Sequence, residues 1–331
     1  MNAIRHQLKN KFLTLQKIIA QHRRFFLVIH PSPDADALGA SYSLQEYIHR
    51  QNPNNQTTIY SIDLPSENLK PLFDFKKITT KLQLNNTDVL IFLDRGDVYY
   101  KLSFEKKLKK LSAPPQIIVN IDHHTNTVIP GAVNIRNTTA SSTSEIMYYF
   151  FQEVNFPIDL TIAQYLLNGI WFDTGGFRHN NTTPEVLEIS GELMRKGASI
   201  SKINRYLTAN KPVEVLKLWG LALERVRVNT KTGMAVSYIT KKDLEKSGVT
   251  IKQLDPSKLS ELLNTIADTK FSLMLTEREE NKVKASLRSD EYKKVDVRKI
   301  AQLFKGGGHK LASGFEVPGK IKPTKDGLMV E

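Results

Sequence analysis

The sequence predicts an α/β protein: an N-terminal domain built on a parallel sheet and a smaller C-terminal α/β domain, joined by a helical connector. Two observations carry this prediction. In the first half, short β-branched and aromatic runs alternate with helical patterns, which is typical of strands covered on both faces by helices. In the second half, residues 283–288 alternate apolar and polar, which is typical of a half-exposed strand. The expected bounds are 1–190, 191–215 and 216–331.

The elements of the first half are predicted in chain order. Residues 1–24 carry charges throughout, which predicts an amphipathic helix and not a secretory signal. Apolar runs predict four strands, over 25–30, 57–62, 89–94 and 117–122. Helical patterns predict helices over 37–50, 141–153 and 160–169, and the basic stretch 101–110 predicts a solvated helix face.

The second half changes in character after about residue 215. Residues 185–207 predict mainly helix, and strands are predicted over 234–239, 271–276 and 283–288. In the last of these, Lys284, Ser286 and Arg288 share one face, opposite an apolar face. The pattern predicts an antiparallel or mixed sheet with one polar, half-exposed face.

Composition excludes several classes of protein. The chain has 331 residues, of which 40% are hydrophobic and 24% charged, as in a globular protein. Its longest apolar runs fall far short of the roughly 20 residues that a membrane-spanning helix needs. It has no cysteine, which excludes disulfides and thiolate metal sites. The net charge of +13 favours a polyanionic partner or serves solubility. We expect a cytoplasmic location and no membrane partner.

Potential metal ligands stand at the predicted strand ends. His30 ends the first run, Asp94 the third, and Asp122 the fourth, directly before His123 and His124. In an open parallel sheet the carboxyl ends of the strands form one edge, and ligands bind there. One such residue alone is typical of a cap or a turn. Several at one edge predict a common site.

Further residues flank this edge. Asp34 and Asp36 precede a helix, and a helix N-cap would account for only one of them. Asp173 follows an apolar segment and precedes two glycines, which let the backbone approach a ligand closely. Arg178 can neutralise a phosphate, although taken alone it is typical of an exposed surface.

Histidines and aspartates without cysteine predict a site for two divalent ions about 3.5–4 Å apart. Neutral imidazole suits Mn, Co or Zn, and Asp122 can orient a neighbouring imidazole from behind. Such a pair of ions suits phosphoester hydrolysis, because it activates a water and stabilises the charge on the phosphoryl oxygens.

A second candidate site lies near the C-terminus. The glycines expose backbone N–H groups to an anion, and we expect the start of a following helix to add its positive end. Arg288 can pair with a phosphate or stack on a base. A flexible turn is the alternative. The residues of this predicted clamp are Gly306, Gly307, Gly308 and His309.

Together these residues resemble the DHH phosphoesterase superfamily, named for an Asp-His-His such as 122–124. The order of the motifs from His30 to Asp173 matches the family, and the terminal GGGH is similar to its DHH-associated C-terminal substrate-binding domain. Length and the spacing from 286–289 to the GGGH are most similar to the nano-RNase and pAp-phosphatase branch. The resemblance covers nearly the whole chain. Lys305 departs from it, since many relatives have a further glycine there.

The resemblance implies a role for each residue. One metal would be held by His30, Asp34 and Asp94, and the other by Asp36, Asp94, His123 and Asp173, with Asp94 bridging. His124 would contact the scissile phosphate or help the leaving oxygen, with Asp122 behind it. Arg288, His309 and the glycine amides would position the nucleotide. The family prefers Mn²⁺, two ions per site, with Mg²⁺ or Co²⁺ as alternatives, and association as a homodimer is expected from the resemblance alone.

The expected activity is metal-dependent hydrolysis of very short RNA to mononucleotides, and of 3′-phosphoadenosine 5′-phosphate (pAp) to AMP. An inorganic pyrophosphatase and a linear or cyclic dinucleotide phosphodiesterase are the alternatives within the superfamily. From another class, a basic nucleic-acid-binding protein with an inactive site is the alternative. Substrate profiling separates these readings.

Overall fold

The protein is described by a computed structural model for residues 3–84, 88–96, 115, 117–125, 127–207, 211–279, 281–308, 310–324 and 327–331. The chain forms two compact units, Met1–Ala209 and Asn210–Glu331. The division falls inside the predicted connector 191–215. The predicted helix face at 101–110 lies outside the described residues. No helix among the described residues is long and apolar enough to cross a membrane.

The first unit is built on a six-stranded sheet in which all neighbouring strands are parallel. The order across the sheet is β3-β2-β1-β4-β5-β6. β4 is buried at every position, as expected for a central strand covered on both faces. The strands are β1 (Arg24–Val28), β2 (Gln56–Tyr60), β3 (Ile78–Thr79), β4 (Val89–Leu93), β5 (Ile117–Asp122) and β6 (Val133–Arg136).

Side-chain caps fix where the helices of this unit begin. Asp34, Ser142, Asp159 and Thr183 each accept a backbone hydrogen bond from the first turn of the helix that follows. The described helices are α1 (Ala3–Gln21), α2 (Ala35–Gln51), α3 (Thr143–Glu153), α4 (Leu160–Asp173), α5 (Pro184–Arg195) and α6 (Ile200–Leu207).

The amphipathic N-terminal helix predicted from residues 1–24 is present as α1. Its buried residues recur at helical spacing, from Ile4 and Leu8 to Phe12, Leu15 and Ile19. Phe12 packs edge-on against Phe150 of α3, with ring centroids 5.8 Å apart. This contact attaches the first helix to the core of the unit.

The second unit has a mixed six-stranded sheet in the order β11-β12-β10-β9-β8-β7. Only β8 and β9 pair in parallel. The strands are β7 (Arg227–Asn229), β8 (Met234–Ile239), β9 (Phe271–Arg278), β10 (Lys282–Arg288), β11 (Gly307–Gly308) and β12 (Ala312–Pro318), with a separate hairpin of β13 (Ile321–Thr324) and β14 (Gly327–Val330). The described helices are α7 (Val213–Glu224), α8 (Lys241–Ser247), α9 (Ile251–Leu254), α10 (Pro256–Leu263) and α11 (Val297–Leu303). The predicted α/β class is confirmed.

The polar face predicted for this sheet is only partly exposed, because α10 covers it at Ser286 whereas Lys284 and Arg288 stay half-buried. The Ser260 hydroxyl on α10 donates to the Ser286 carbonyl (3.1 Å) and lies 3.2 Å from the Ser272 hydroxyl. All three serines are buried. These small side chains let the helix approach the sheet, and the Ser286 position, although polar, marks a buried contact between helix and sheet.

Candidate active site

Three neighbouring strands of the first sheet end at predicted site residues. β1, β4 and β5 lie side by side. His30 lies just beyond β1, Asp94 directly follows β4, and Asp122 is the last residue of β5. The carboxyl edge of the sheet therefore collects residues that are far apart in the sequence.

The start of α2 brings two more acids to this edge. Asp34 is the helix cap, and its Oδ1 accepts the N–H groups of Asp36 (2.9 Å) and Ala37 (3.1 Å). Asp36 is fully buried, and its two oxygens accept the N–H groups of Thr143 (2.7 Å) and Ser144 (2.9 Å) at the start of α3. The positive end of α3 thus stabilises the Asp36 carboxylate.

His30 faces the two acids with which it was predicted to act. Its Nδ1 lies 2.8 Å from the Pro31 carbonyl, which makes that nitrogen the donor. Its Nε2 lies 3.5 Å from Asp34 Oδ2 and 3.8 Å from Asp94 Oδ2. In the neutral imidazole this arrangement directs the Nε2 lone pair toward the carboxylates, as a metal ligand requires.

Asp94 is the centre of the cluster. It is 2% exposed and adopts a left-handed backbone conformation with φ of +49°, which is strained for a residue with a side chain. Its Oδ2 faces His30, whereas its Oδ1 lies 3.5 Å from His123 Nε2 and 3.4 Å from His124 Nδ1. The Thr143 hydroxyl also donates to Oδ1 (3.2 Å). The two oxygens of one carboxylate thus face different histidines.

Asp122 holds His124 and the backbone around it. Its Oδ1 accepts both the N–H and the Nδ1–H of His124, each at 2.9 Å. Its Oδ2 accepts the N–H of Arg95 (3.0 Å). A carboxylate only accepts, so His124 carries its proton on Nδ1. Arg95 is buried and stacks on Phe92.

His123 and Asp173 complete the group. Asp173 is the last residue of α4, and its Oδ2 lies 3.2 Å from His123 Nε2. That Nε2 is buried and makes no hydrogen bond of good geometry among the described residues. The turn after Asp173 is tied back by Asn181, whose amide donates to the carbonyls of Ser141 (3.0 Å) and Asp173 (3.3 Å).

The carboxylates perturb the protonation of the whole cluster. Burial lowers the pKa of His30, but Asp34 and Asp94 outweigh that effect and raise it to about 10. Burial and the Asp94 charge raise the pKa of Asp36 to about 7. Burial and the Asp36 charge raise the pKa of Asp173 well above its usual range. The cluster therefore concentrates negative charge that added positive charge would relieve.

The donor set fits divalent metal ions. Three groups of potential ligands occur in the described part of the chain, and within each group the ligand atoms lie within 4.8 Å of one another. They are His30, Asp34, Asp94; Asp36, His123, Asp173; and Asp94, His123, His124. Imidazole is a borderline ligand and carboxylate a hard one, and both bind divalent metals. The buried Nε2 of His123, which makes no hydrogen bond among the described residues, is an atom that a metal would satisfy. The assignment of each residue as a ligand stays a prediction.

Of the predicted phosphate and nucleotide residues, Arg178 follows Asp173 by five residues, and Arg288 belongs to the second unit. Arg178 is exposed, and its Nε donates to the Gly175 carbonyl (2.7 Å). Arg288 ends β10, and its Nη1 donates to its own neighbour, the Leu287 carbonyl (2.9 Å). Burial lowers the pKa of Arg288, against the opposing charges of Glu261 and Asp255.

The glycine clamp differs from its prediction in one respect. Among the described residues that follow the glycines there is no helix, because Ala312–Pro318 form β12. Gly307 and Gly308 instead form a short edge strand opposite Gly314 and Ser313. A Cβ on Gly306 would lie 2.3 Å from the Gly314 carbonyl oxygen, so the glycine permits a close approach of two backbones. His309 lies outside the described residues.

Sequence reasoning missed the residues that hold the cluster in place. The backbone N–H groups of Thr143 and Ser144 donate to the Asp36 carboxylate. The side-chain amide of Asn181 donates to the Asp173 carbonyl. Ser142 is the N-cap of α3, and its neighbours Ser141 and Glu145 are buried. The only signal in the sequence was the capping pattern Ser-x-x-Glu at 142–145, which predicts a helix start but not its acidic partner.

Comparison with known proteins identifies both parts of the chain. Residues 24–170 match the DHH family, N-terminal domain, and residues 231–325 match the DHHA1 domain.

Relatives match over most of their length. An uncharacterised protein of Mycoplasma genitalium, MG371, is 25% identical over 90% of this chain and 88% of its own. The bifunctional oligoribonuclease and PAP phosphatase NrnA of Bacillus subtilis is 27% identical over 92% of each chain.

Among solved structures, an exopolyphosphatase-related protein from Bacteroides fragilis has the same fold, with a TM-score of 0.84 at 24% identity over 94% of this chain and 92% of the other. The Asp-His-His that begins at the last residue of β5 and the glycine run of the second unit thus lie within the matched residues, and the chain carries a DHH domain and a DHHA1 domain.

Proposed function

We propose that this phosphoesterase uses two divalent ions, preferably Mn²⁺, to hydrolyse short oligoribonucleotides to mononucleotides, and pAp to AMP. The observation that carries the proposal is the position of Asp94. Its Oδ2 faces His30 in one group of candidate ligands, and its Oδ1 faces His123 in the next. A carboxylate so placed can bridge two ions, and a bridged pair suits phosphoester hydrolysis.

When bound, two such ions would lower the pKa of a water and stabilise the charge that builds on the phosphoryl oxygens. We assign the protein's own contribution to the pair Asp122 and His124. Asp122 fixes the proton of His124 on Nδ1, and the opposite edge of the ring, with Nε2, lies beside Gly96. We assign the substrate phosphate to this side of the ring. From there the imidazole can contact the scissile phosphate, or donate a proton to the leaving oxygen when it is charged.

The nucleotide is the substrate class that several features support. The Bacillus subtilis relative is named an oligoribonuclease and PAP phosphatase, and the second domain carries Arg288 and the glycine run. A net charge of +13 favours a polyanion. We propose that Arg288, the backbone of Gly306, Gly307 and Gly308, and His309 position the nucleotide, and that Arg178 binds phosphate. The homodimer and the cytoplasmic location stay predictions.

The direct test is an assay of metal-depleted protein to which Mn²⁺ is added back. The substrates are a labelled RNA series from dinucleotides to long oligomers, pAp, pyrophosphate, and linear and cyclic dinucleotides. We expect Mn²⁺-dependent release of mononucleotides, fastest for the shortest RNAs, and phosphate release from pAp. Hydrolysis of pyrophosphate or of a cyclic dinucleotide alone would keep the metal centre and reject this substrate. Binding of RNA with no turnover of any substrate would favour the nucleic-acid-binding alternative.

Replacement of Arg288 tests the substrate-binding role separately. Arg288→Ala is expected to raise KM for a dinucleotide about tenfold and to change kcat less than about threefold, because the guanidinium binds ground state and transition state alike. Arg278→Ala, at another half-buried arginine of the same sheet, is the matched control. An unchanged KM for Arg288→Ala would reject the role.

A further inference from the structure

Arg136 stands beside the Asp-His-His segment without belonging to any predicted motif. It is the last residue of β6 and lies opposite Asp122 in the parallel register of β5 and β6. The next residue, Asn137, donates its N–H to the Asp122 carbonyl (3.3 Å). The end of β6 is therefore tied to β5 at the point where the active-site turn begins.

The Arg136 guanidinium binds the backbone of that turn. Its Nη1, which carries two hydrogens, donates to the His124 carbonyl (2.9 Å) and to the Thr125 carbonyl (2.6 Å). The Thr127 hydroxyl is a second donor to the His124 carbonyl (3.2 Å). In the part of the chain that the structure describes, no carboxylate lies within ion-pair distance of Arg136. Within the described residues, the guanidinium therefore binds two carbonyls and forms no salt bridge.

The His124 backbone is consequently held from two sides. Asp122 binds its N–H and its ring, and Arg136 binds its carbonyl. Because these contacts limit both backbone dihedrals of His124, they limit where its ring can lie. His123 precedes it in the same turn and directs Nε2 at Asp94 and Asp173. A change in the turn would therefore move both histidines.

We propose that Arg136 is a positioning residue, which holds the turn 123–125 so that His124 meets the substrate and His123 keeps its place among the candidate metal ligands. The inference rests on the proposed function, in which both histidines act at the phosphate. A misplacement of about 1 Å can cost about 100-fold in rate. Removal of a group that orients a metal ligand typically costs about 10–100-fold in metal affinity or activity.

The test compares Arg136→Ala with Arg23→Ala. Arg23 is an exposed arginine of the same unit that also donates to a backbone carbonyl, that of His22 (3.3 Å). For Arg136→Ala we expect kcat on an RNA dinucleotide to fall about 10–100-fold with KM changed less than about threefold, and Mn²⁺ affinity to fall about tenfold. Guanidinium ion at low concentration should restore part of kcat in Arg136→Ala, whereas sodium ion at the same concentration should not.

Hydrogen exchange supplies a readout that needs no substrate. Amides in peptides that contain His123, His124 and Thr125 should exchange faster in Arg136→Ala, with peptides from α1 and α5 unchanged. If the wild-type protein hydrolyses no nucleotide, the proposed function fails, and exchange and Mn²⁺ affinity still decide the role of Arg136. Wild-type exchange in the turn together with wild-type Mn²⁺ affinity would overturn the inference, and so would a loss of kcat that guanidinium does not restore.

Discussion

Gly169 on α4 lies so close to Asp36 on α2 that a Cβ built on the glycine would stand 2.6 Å from the Oδ1 of that carboxylate. The same Cβ would lie 2.1 Å from the Ser144 hydroxyl and 2.8 Å from Ser144 Cβ. Gly39 on α2 likewise permits a close approach to α4, because a Cβ on Gly39 would lie 2.4 Å from the Tyr165 carbonyl oxygen. The absence of two side chains thus lets α2, α3 and α4 converge around a buried acid.

Gly169→Ala should therefore disturb the cluster even though alanine is the better helix former. We expect the free energy of unfolding to fall by about 1–3 kcal/mol, the usual cost of overpacking a well-packed core, and activity to fall as Asp36 shifts. The matched control is Gly191→Ala in α5, where only the end of the Arg195 side chain comes within 4 Å of an added Cβ. Gly191→Ala should raise the free energy of unfolding by about 0.5–1 kcal/mol. Urea denaturation measures the free energy of unfolding of both variants. An equal gain in stability for Gly169→Ala and Gly191→Ala would contradict the packing argument.

Asp94→Asn removes the negative charge that faces both His30 and His123 and preserves the shape of the side chain. We expect turnover to fall at least about 1,000-fold, because both proposed ions lose a shared ligand. Calorimetry should show loss of at least one of two bound Mn²⁺. Asp88→Asn is the control, since Asp88 is another buried acid of the same unit and pairs with Arg24 at 2.9 Å, away from the cluster. A variant Asp94→Asn with more than a tenth of wild-type turnover would reject the bridging role.

The sequence predicted the cluster at the sheet edge better than it predicted the residues that hold that cluster in place. Short apolar runs predicted β1, β4 and β5, and the strand-end rule then placed His30, Asp94 and Asp122 together. The rule needs only strand direction, which the intervening helices supply. The rule could not predict that Asp36 binds the start of α3, because every non-proline residue carries a backbone N–H group and the sequence does not show which of them binds a given acid.

The second unit shows where the side-chain pattern misled. Ser286 alternates with apolar neighbours, and alternation predicts exposure. The structure buries Ser286 against α10, where the Ser260 hydroxyl donates to the Ser286 carbonyl. A contact between a helix and a sheet that are distant in sequence is invisible to a local pattern, and so is the pairing of Gly307 with Gly314.

An ion pair in the second unit predicts a dependence of stability on pH. Arg225 binds both oxygens of Asp243, at 2.6 and 3.0 Å, and Thr240 binds the same carboxylate. Burial alone raises the pKa of Asp243, but hydrogen bonds from Arg225 and Thr240 outweigh it and lower it to about 2. The pKa in the unfolded chain is about 3.9. The stabilisation is therefore complete above about pH 4 and is lost as the pH falls toward the folded value.

Asp243→Asn should accordingly lower the free energy of unfolding by about 1–2 kcal/mol at neutral pH, after allowance for partial exposure to solvent. The difference from wild type should shrink below about pH 4. Trp171→Phe leaves Trp219 of α7 as the only tryptophan of the two in the chain, so its fluorescence in urea reports the second unit. Glu245→Gln, an exposed acid on the same helix with its side chain 63% exposed, should change stability less than about 0.5 kcal/mol. A difference for Asp243→Asn that is constant with pH would contradict the assignment.

Lys305 occupies a backbone position that favours glycine. It follows α11 with φ of +58°, and the N–H of Gly306 closes the helix end by donating to the Ala301 carbonyl (2.9 Å). Lys305→Gly should therefore raise the free energy of unfolding by about 0.5–1 kcal/mol, because the left-handed conformation costs a non-glycine residue about that much.

Lys305→Ala keeps the strain and removes the charge, so it should give no such gain in urea denaturation, and an equal gain from both variants would contradict the backbone argument. Kinetics with a dinucleotide then separate two roles of the lysine. If its ammonium binds phosphate, both variants raise KM alike, whereas if the residue only shapes the glycine run, Lys305→Ala leaves KM unchanged and Lys305→Gly alone alters it.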